Sequence, residues 1–318
     1  MVGRYSGFFY GIASGLFWGL DAVAVAWVLS QSGMPVGVDL LFLPLCVIAL
    51  HDICSAFWMI LLTTWRGQWH RIYCIIKGRR VLIMLLAAWC GGPIGMSCYV
   101  LSIHSVGPGV AAVVSSVYPA LGVLFAVLLG RDRLKGHMIA GLSLAMLSTA
   151  SLSWSPWDGS IHMMGILFAL CCAVGWGVEC VICSCGFAQD IDPDLALQLR
   201  QLVSGLTYMC VVLPLFGVQS VVWELAVNMQ VMGAISLVAF MGTLSYLFYY
   251  RAIAQIGPIR AMGLNITYSA WAVFFGFCIM GNSLSLWTLL VAVFVIAGSL
   301  WTAAPWITWY HIWRRSNQ

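Results

Sequence analysis

The chain has 318 residues, of which 62% are hydrophobic and 8% charged, with a formal net charge of +4. Soluble chains carry roughly 25% charged residues, so this composition cannot cover a water-facing surface and lipid must be the solvent. The basic excess forms no soluble tail or domain, which excludes a nucleic-acid binder.

A membrane-crossing helix takes roughly 20 apolar residues, and runs of that kind fill nearly the whole sequence. They cover 7–29, 40–63, 81–104, 109–129, 136–152, 163–186, 195–215, 229–252, 261–280 and 285–306. The reading is an all-α integral membrane protein of about ten transmembrane helices. Barrel strands would instead alternate in segments of about ten residues. Only Arg4 precedes the first span, no small-residue cleavage site follows it, and it carries Asp21. It reads as a retained helix rather than a signal peptide. The second span holds His51-Asp52, and Arg66, Arg71, Lys77, Arg79 and Arg80 follow it. Arg131, Arg133 and Lys135 follow the fourth span, Arg251 and Arg260 flank the turn after the eighth, and Arg314 and Arg315 end the chain. With ten spans all these clusters fall on one side. The positive-inside rule makes that side the cytoplasm, with both termini in it, and the membrane the bacterial inner membrane. Asp190, Asp192 and Asp194 depart from the pattern on the same side. Trp65, Trp69, Trp154, Trp157, Trp306, Trp309 and Trp313 lie near span ends, as interfacial belts require.

The sequence repeats itself. Trp18-Gly19-Leu20-Asp21 in the first span and Trp176-Gly177-Val178-Glu179 in the sixth share a W-G-aliphatic-acid pattern. Gly107-Pro108-Gly109 and Gly257-Pro258 are each flanked by tyrosines. Tyr99 and Tyr249, and Tyr118 and Tyr268, then correspond at a spacing of 150. Two halves follow, 7–152 and 163–306, with a short cytoplasmic tail at 307–318. Five helices per half is odd, so the halves are inverted repeats, a plan that builds a site near the midplane open alternately to each side.

Ionisable groups inside a bilayer are expensive and mark function or a partner. Trp176 and Glu179 share a helix face one turn apart. Either Glu179 meets a cation there together with the indole, or it pairs with Arg200 or bonds a neighbouring helix. Asp21 is its counterpart in the first half, as a partner acid or as a structural hydrogen-bonding group. His51 and Asp52 correspond to Arg200 and Gln201. They read first as an interhelical clamp and second as a proton relay. These five, Asp21, His51, Asp52, Arg200 and Gln201, form the candidate coupling or polar network. Tyr246, Tyr249 and Tyr250 share one face, and Asn265, Tyr268 and Trp271 another. With Trp18 and Trp176 they suggest a cavity. Aromatic faces attract quaternary ammonium ions, by roughly 0.5–2 kcal/mol per contact, so an organic cation suits the site better than a sugar.

Cys180, Cys183 and Cys185 include a C-x-x-C spacing but read as packing residues. No phosphate-binding loop, catalytic triad or zinc spacing is present, so neither enzyme, cofactor nor metal is expected.

The chain resembles the drug/metabolite transporter superfamily in its ten-helix, two-repeat EamA-type branch, and within it the Lic-type choline transporters of bacteria. The motifs are Gly15-Leu16-Phe17-Trp18-Gly19-Leu20, His51-Asp52, Gly92-Pro93-Ile94-Gly95-Met96, Ser115-Ser116-Val117-Tyr118-Pro119-Ala120, Trp176-Gly177 with Glu179, Arg200-Gln201, Ser245-Tyr246-Leu247 with Tyr249-Tyr250, and Gly263-Leu264-Asn265 with Tyr268 and Trp271. The resemblance implies import of choline or a related quaternary ammonium compound by alternating access, with a proton as a possible coupling ion. It implies a pocket of Trp18, Trp176, Glu179, Tyr249 and Tyr268, with Tyr246, Tyr250, Asn265 and Trp271 as neighbours. An exporter of drugs, amino acids or other small metabolites is the alternative within the superfamily. Asp21 departs from the family pattern, where the position is usually not acidic; a second acid would alter ion coupling or admit another cation such as a polyamine.

Overall fold

The computed structural model describes residues 2–31, 42–153 and 163–303. Ten apolar helices organise it: α1 Tyr5–Leu29, α2 Phe42–Trp65, α3 Arg80–Val106, α4 Val110–Leu128, α5 Gly136–Leu152, α6 Met163–Phe187, α7 Pro193–Phe216, α8 Met229–Ile256, α9 Pro258–Met280 and α10 Leu286–Ala303. Nine are long and apolar enough to cross a membrane, and α5 is the shorter one. Short helices Trp69–Lys77 and Gln219–Val227 join α2 to α3 and α7 to α8, at matching places in the two halves. The first of them buries Ile72 and exposes Trp69, Tyr73 and Ile76. Trp154, Trp157, Trp306, Trp309, Trp313, Arg314, Arg315 and the 307–318 tail lie outside the described residues.

Packing crosses between the halves. The first helix of each half docks on the third and fourth of the other: α1 on α8 and α9, α6 on α3 and α4. The second helices pair with each other, α2 with α7, and so do the fifth, α5 with α10. Lipid supplies no hydrophobic drive between helices, so small residues that let backbones approach take its place. On α1 they are Gly7, Gly11, Gly15 and Gly19, one per helical turn. A Cβ at Gly15 would strike Thr267, and one at Gly19 would lie 2.7 Å from the Tyr268 carbonyl. On α6 the same ladder reads Gly165, Ala169, Ala173, Gly177. A Cβ at Gly177 would lie 2.9 Å from the Tyr118 carbonyl and 2.8 Å from the Gly122 nitrogen.

Both fourth helices are broken at matching points. α4 turns at Ser116–Val117 and restarts at Tyr118; α9 turns at Ile266–Thr267 and restarts at Tyr268. Backbone groups freed inside a membrane need new partners. Ser116 donates its hydroxyl to the Val113 carbonyl at 2.7 Å, and Thr267 donates to the Leu264 carbonyl at 2.7 Å. The break corrects one expectation. Asn265, Tyr268 and Trp271 do not share one continuous helical face, because the turn falls between the first and the second.

A second finding explains the acidic segment between α6 and α7. Asp194 accepts from Arg251 at 2.8 and 2.6 Å and pairs with Arg66, while Asp192 accepts from Arg71 at 3.1 Å. The acids therefore sit among the basic residues on one face of the molecule.

Candidate functional site

The two ladders bring Trp18 of α1 and Trp176 of α6 together between the broken helices. Their ring centroids are 5.6 Å apart and nearly perpendicular. Tyr268, the first residue past the α9 break, stacks on Trp18 at 4.2 Å. Tyr118, the first past the α4 break, meets Trp176 edge-on at 5.9 Å and Trp18 at 6.3 Å. Tyr99 extends the wall behind Trp176 at 5.4 Å. Trp18, Tyr118, Trp176, Glu179, Ser245, Tyr246, Tyr249 and Asn265 line a narrow, partly open cavity, with about 340 Å³ of empty space when the open solvent at its mouth is included.

Polar groups fix the lining. Trp176 donates its indole N–H to the Gly91 carbonyl at 3.2 Å. Tyr118 donates to Asn265 Oδ1 at 3.1 Å, and Asn265 Nδ2 donates to Ser14 Oγ at 3.0 Å. Ser245 donates to the Ser14 carbonyl at 2.9 Å. The Tyr249 hydroxyl is buried without a hydrogen-bond partner; the Cys180 thiol is its polar neighbour.

Behind the cavity the charges form one chain. Arg200 Nε donates to Glu179 Oε1 at 3.1 Å, and Tyr250 donates to the same oxygen at 3.0 Å. Both bonds fall on Oε1. Oε2 is the oxygen nearest Gly91, where a Cβ would overlap it. Arg200 also donates to Tyr246 Oη at 3.0 Å and to Gln201 Oε1 at 2.6 Å, while Gln201 Nε2 is buried without a partner. Its Nη1 stands 3.7 Å from Asp52 Oδ2, which accepts from Ser204 at 2.5 Å. Asp52 Oδ1 lies 3.4 Å from His51 Nδ1, and His51 Nε2 lies 3.0 Å from Asp21 Oδ1. The chain thus runs from α1 through α2 and α7 to α6.

Of the residues singled out by sequence, Trp18, Trp176, Glu179, Tyr246, Tyr249 and Asn265 line the cavity. Tyr268 backs Trp18, and Tyr250 holds Glu179 from behind. Trp271 stands apart, beside Phe274 and Phe275, with its Cβ against Gly19. The two readings of Glu179 coexist: it pairs with Arg200 and it faces the cavity. Asp21, His51, Asp52, Arg200 and Gln201 form the connected network just described. Tyr118, Ser245 and Ser14 were not singled out as site residues. Tyr118 carried a signal, being the counterpart of Tyr268, and Ser245 stood in the Ser245-Tyr246-Leu247 motif, whereas Ser14 carried none.

Comparison with known proteins agrees with this architecture. The EamA-like transporter family matches residues 5–154 and 163–304. Protein LicB of Haemophilus influenzae is 30% identical over 301 residues, covering 93% of this chain and 97% of that protein. A solved crystal structure, 17% identical, covers 96% of this chain and 98% of its own with a TM-score of 0.70, a likeness of fold. Two halves of five helices, docked crosswise around one cavity and each matched to the same family, make this multi-pass membrane protein a member of the EamA-like transporter family.

Proposed function

We propose that the chain imports choline or a related quaternary ammonium compound across the bacterial inner membrane by alternating access. The observation that carries this reading is the cavity itself: two indoles and several phenol rings meet at one carboxylate. A trimethylammonium group donates no hydrogen bonds, so ring faces and a carboxylate are the groups that hold it. Glu179 suits the role because it lines the cavity while Arg200 and Tyr250 hold only one of its two oxygens. The resemblance to Lic-type choline transporters supports the same substrate class. The face bearing the Arg66–Asp194–Arg251 cluster is then cytoplasmic, with both termini on it. An inside-negative potential favours uptake of a cation by about 2.3 kcal/mol per 100 mV.

Thermal unfolding of the detergent-purified protein tests the substrate. A ligand that binds only the folded state raises stability by RT ln(1 + [L]/Kd). Choline raises the unfolding temperature, and betaine, carnitine, spermidine and a sugar nucleotide raise it less. In proteoliposomes choline then accumulates under an inside-negative potential. Stabilisation by none of the quaternary ammonium compounds overturns the substrate and puts export of another metabolite first.

A further inference from the structure

The connection between α2 and α3 carries a surface that the cavity does not explain. A left-handed turn at Gly67 follows α2, and the short helix Trp69–Lys77 comes before α3 starts at Arg80. At about 3.6 residues per turn its side chains divide among three faces. Ile72 and Ile75 form the first and pack against the hydrophobic core. Trp69, Tyr73 and Ile76, at i, i+4 and i+7, form the second and are 44%, 54% and 50% exposed. His70, Arg71, Cys74 and Lys77 form the third, and all four are exposed.

The second half repeats this plan. Its helix Gln219–Val227 begins 150 residues later, the spacing that relates the tyrosines of the two halves. Val222 and Leu225 are buried at the places of Ile72 and Ile75, and Trp223 stands exposed at the place of Tyr73. The halves differ in charge. The first helix has Arg71 and Lys77, with Arg79 and Arg80 next to it, whereas the second has no basic residue and carries Glu224. No Asp or Glu occurs between Asp52 and Asp132. Arg71 donates to Asp192, the cap of α7, at 3.1 Å. Lys77, Arg79 and Arg80 are exposed and make no ion pair among the described residues. The Lys77 ammonium stands over the Tyr73 ring at 4.4 Å, at the edge of the apolar stripe.

The stripe continues onto the spans at either side. Trp65, the last residue of α2, is 82% exposed, and Leu82 and Leu86 of α3 are exposed as well. An outward apolar stripe edged with basic side chains is the pattern of a helix lying in the surface of an anionic bilayer.

We propose that Trp69–Lys77 is an interfacial helix that holds anionic phospholipid. Trp69, Tyr73 and Ile76 enter the acyl boundary, and Lys77, Arg79 and Arg80 take the headgroup phosphate. The partner is lipid because the helix joins two membrane spans and its stripe is continuous with their outward faces. The lipid is anionic because a zwitterionic headgroup sets its own ammonium against these cations. The site uses no group of the cavity and does not rest on the choline reading.

Native mass spectrometry of the purified full-length protein tests this without substrate, by titration with dioleoylphosphatidylglycerol and, in parallel, dioleoylphosphatidylcholine. Phosphatidylglycerol binds more tightly. Each basic residue at an anionic surface contributes about fivefold, so the variant carrying Lys77→Gln, Arg79→Gln and Arg80→Gln loses at least about tenfold in affinity for it and none for phosphatidylcholine. The variant carrying Arg133→Gln and Lys135→Gln, on the same face, keeps most of its affinity. In nanodiscs, replacing part of the phosphatidylcholine by phosphatidylglycerol slows amide hydrogen exchange in peptides covering 69–80 and leaves those covering 219–227 unchanged. Equal affinity for the two lipids, equal loss from the two sets of substitutions, or equal slowing of both peptides overturns the site. Basic residues in this connection also guide insertion. Lys77→Glu alone therefore carries the test, with loss in the same direction, if the triple variant does not insert.

Discussion

Trp176 stands at the centre of the aromatic wall: it contacts Trp18, Tyr99 and Tyr118, and its N–H is anchored on Gly91. Removing the indole removes one ring face, and such a contact contributes about 0.5–2 kcal/mol. Trp176→Ala is therefore expected to weaken choline binding about 2–30-fold, and Trp176→Phe less, in an equilibrium binding assay. The Gly91 position is more severe. An alanine Cβ there would occupy the space of the Glu179 carboxylate, so Gly91→Ala should push that group off Arg200 and abolish choline-dependent stabilisation. Unchanged stabilisation would mean that Glu179 does not set the site. At this scale the sequence was half legible. Trp18, Trp176 and Glu179 declared themselves by repetition. The pairing of Asp21 with His51, and of Asp52 with Ser204, did not, since nothing in a single chain says which helices face each other.

The helices owe their places to glycine ladders and to the two breaks. A Cβ at Gly177 would meet backbone atoms of Tyr118 and Gly122, which cannot swing aside. Overpacking of this kind costs about 1–3 kcal/mol, so Gly177→Ala should lower the unfolding temperature. A Cβ at Gly233 on α8 would instead enter open space, with nothing within 4 Å. Gly233→Ala should be neutral or stabilising, by up to about 1 kcal/mol, and equal effects from both substitutions would refute the ladder. The spans themselves were readable from hydropathy, because each is a long uninterrupted apolar run. The breaks were not equally readable. Pro119 lacks an N–H and its ring opposes the carbonyl of Ser115, which signals the α4 break. At the same place α9 has Ser269, and neither Ile266 nor Thr267 marks a turn. That break is held by tertiary packing on α1, which also explains why Trp271 leaves the face that helical spacing assigned to it.

At the scale of the whole molecule, the described residues tie helices together by ion pairs at the basic face. On the basic face, Arg66 just past α2 and Arg251 of α8 converge on Asp194 of α7, Thr63 of α2 bonds Gln198 of α7, and Arg131 beyond α4 donates to the Ser184 carbonyl of α6 at 2.9 Å. Four helices from both halves are thereby fastened on that side. An alternating-access protein must release such ties to open there, so Asp194→Asn should shift the population toward the form open at the basic face. Losing about 1 kcal/mol from the cluster changes that population about fivefold. Two native thiols report the change. Cys180 and Cys183 are fully buried on α6, on the stretch that carries Glu179, and opening at this face exposes them. Mapping maleimide-labelled cysteines by mass spectrometry should show both reacting about fivefold faster in Asp194→Asn than in wild type, with choline slowing the reaction. Cys46, buried between α2 and the Val218 carbonyl of the neighbouring short connection, lies toward the other face and should not respond. Equal acceleration of all three would mean that the substitution loosens the fold as a whole. No acceleration of Cys180 and Cys183 would mean that the cluster is not what closes this face.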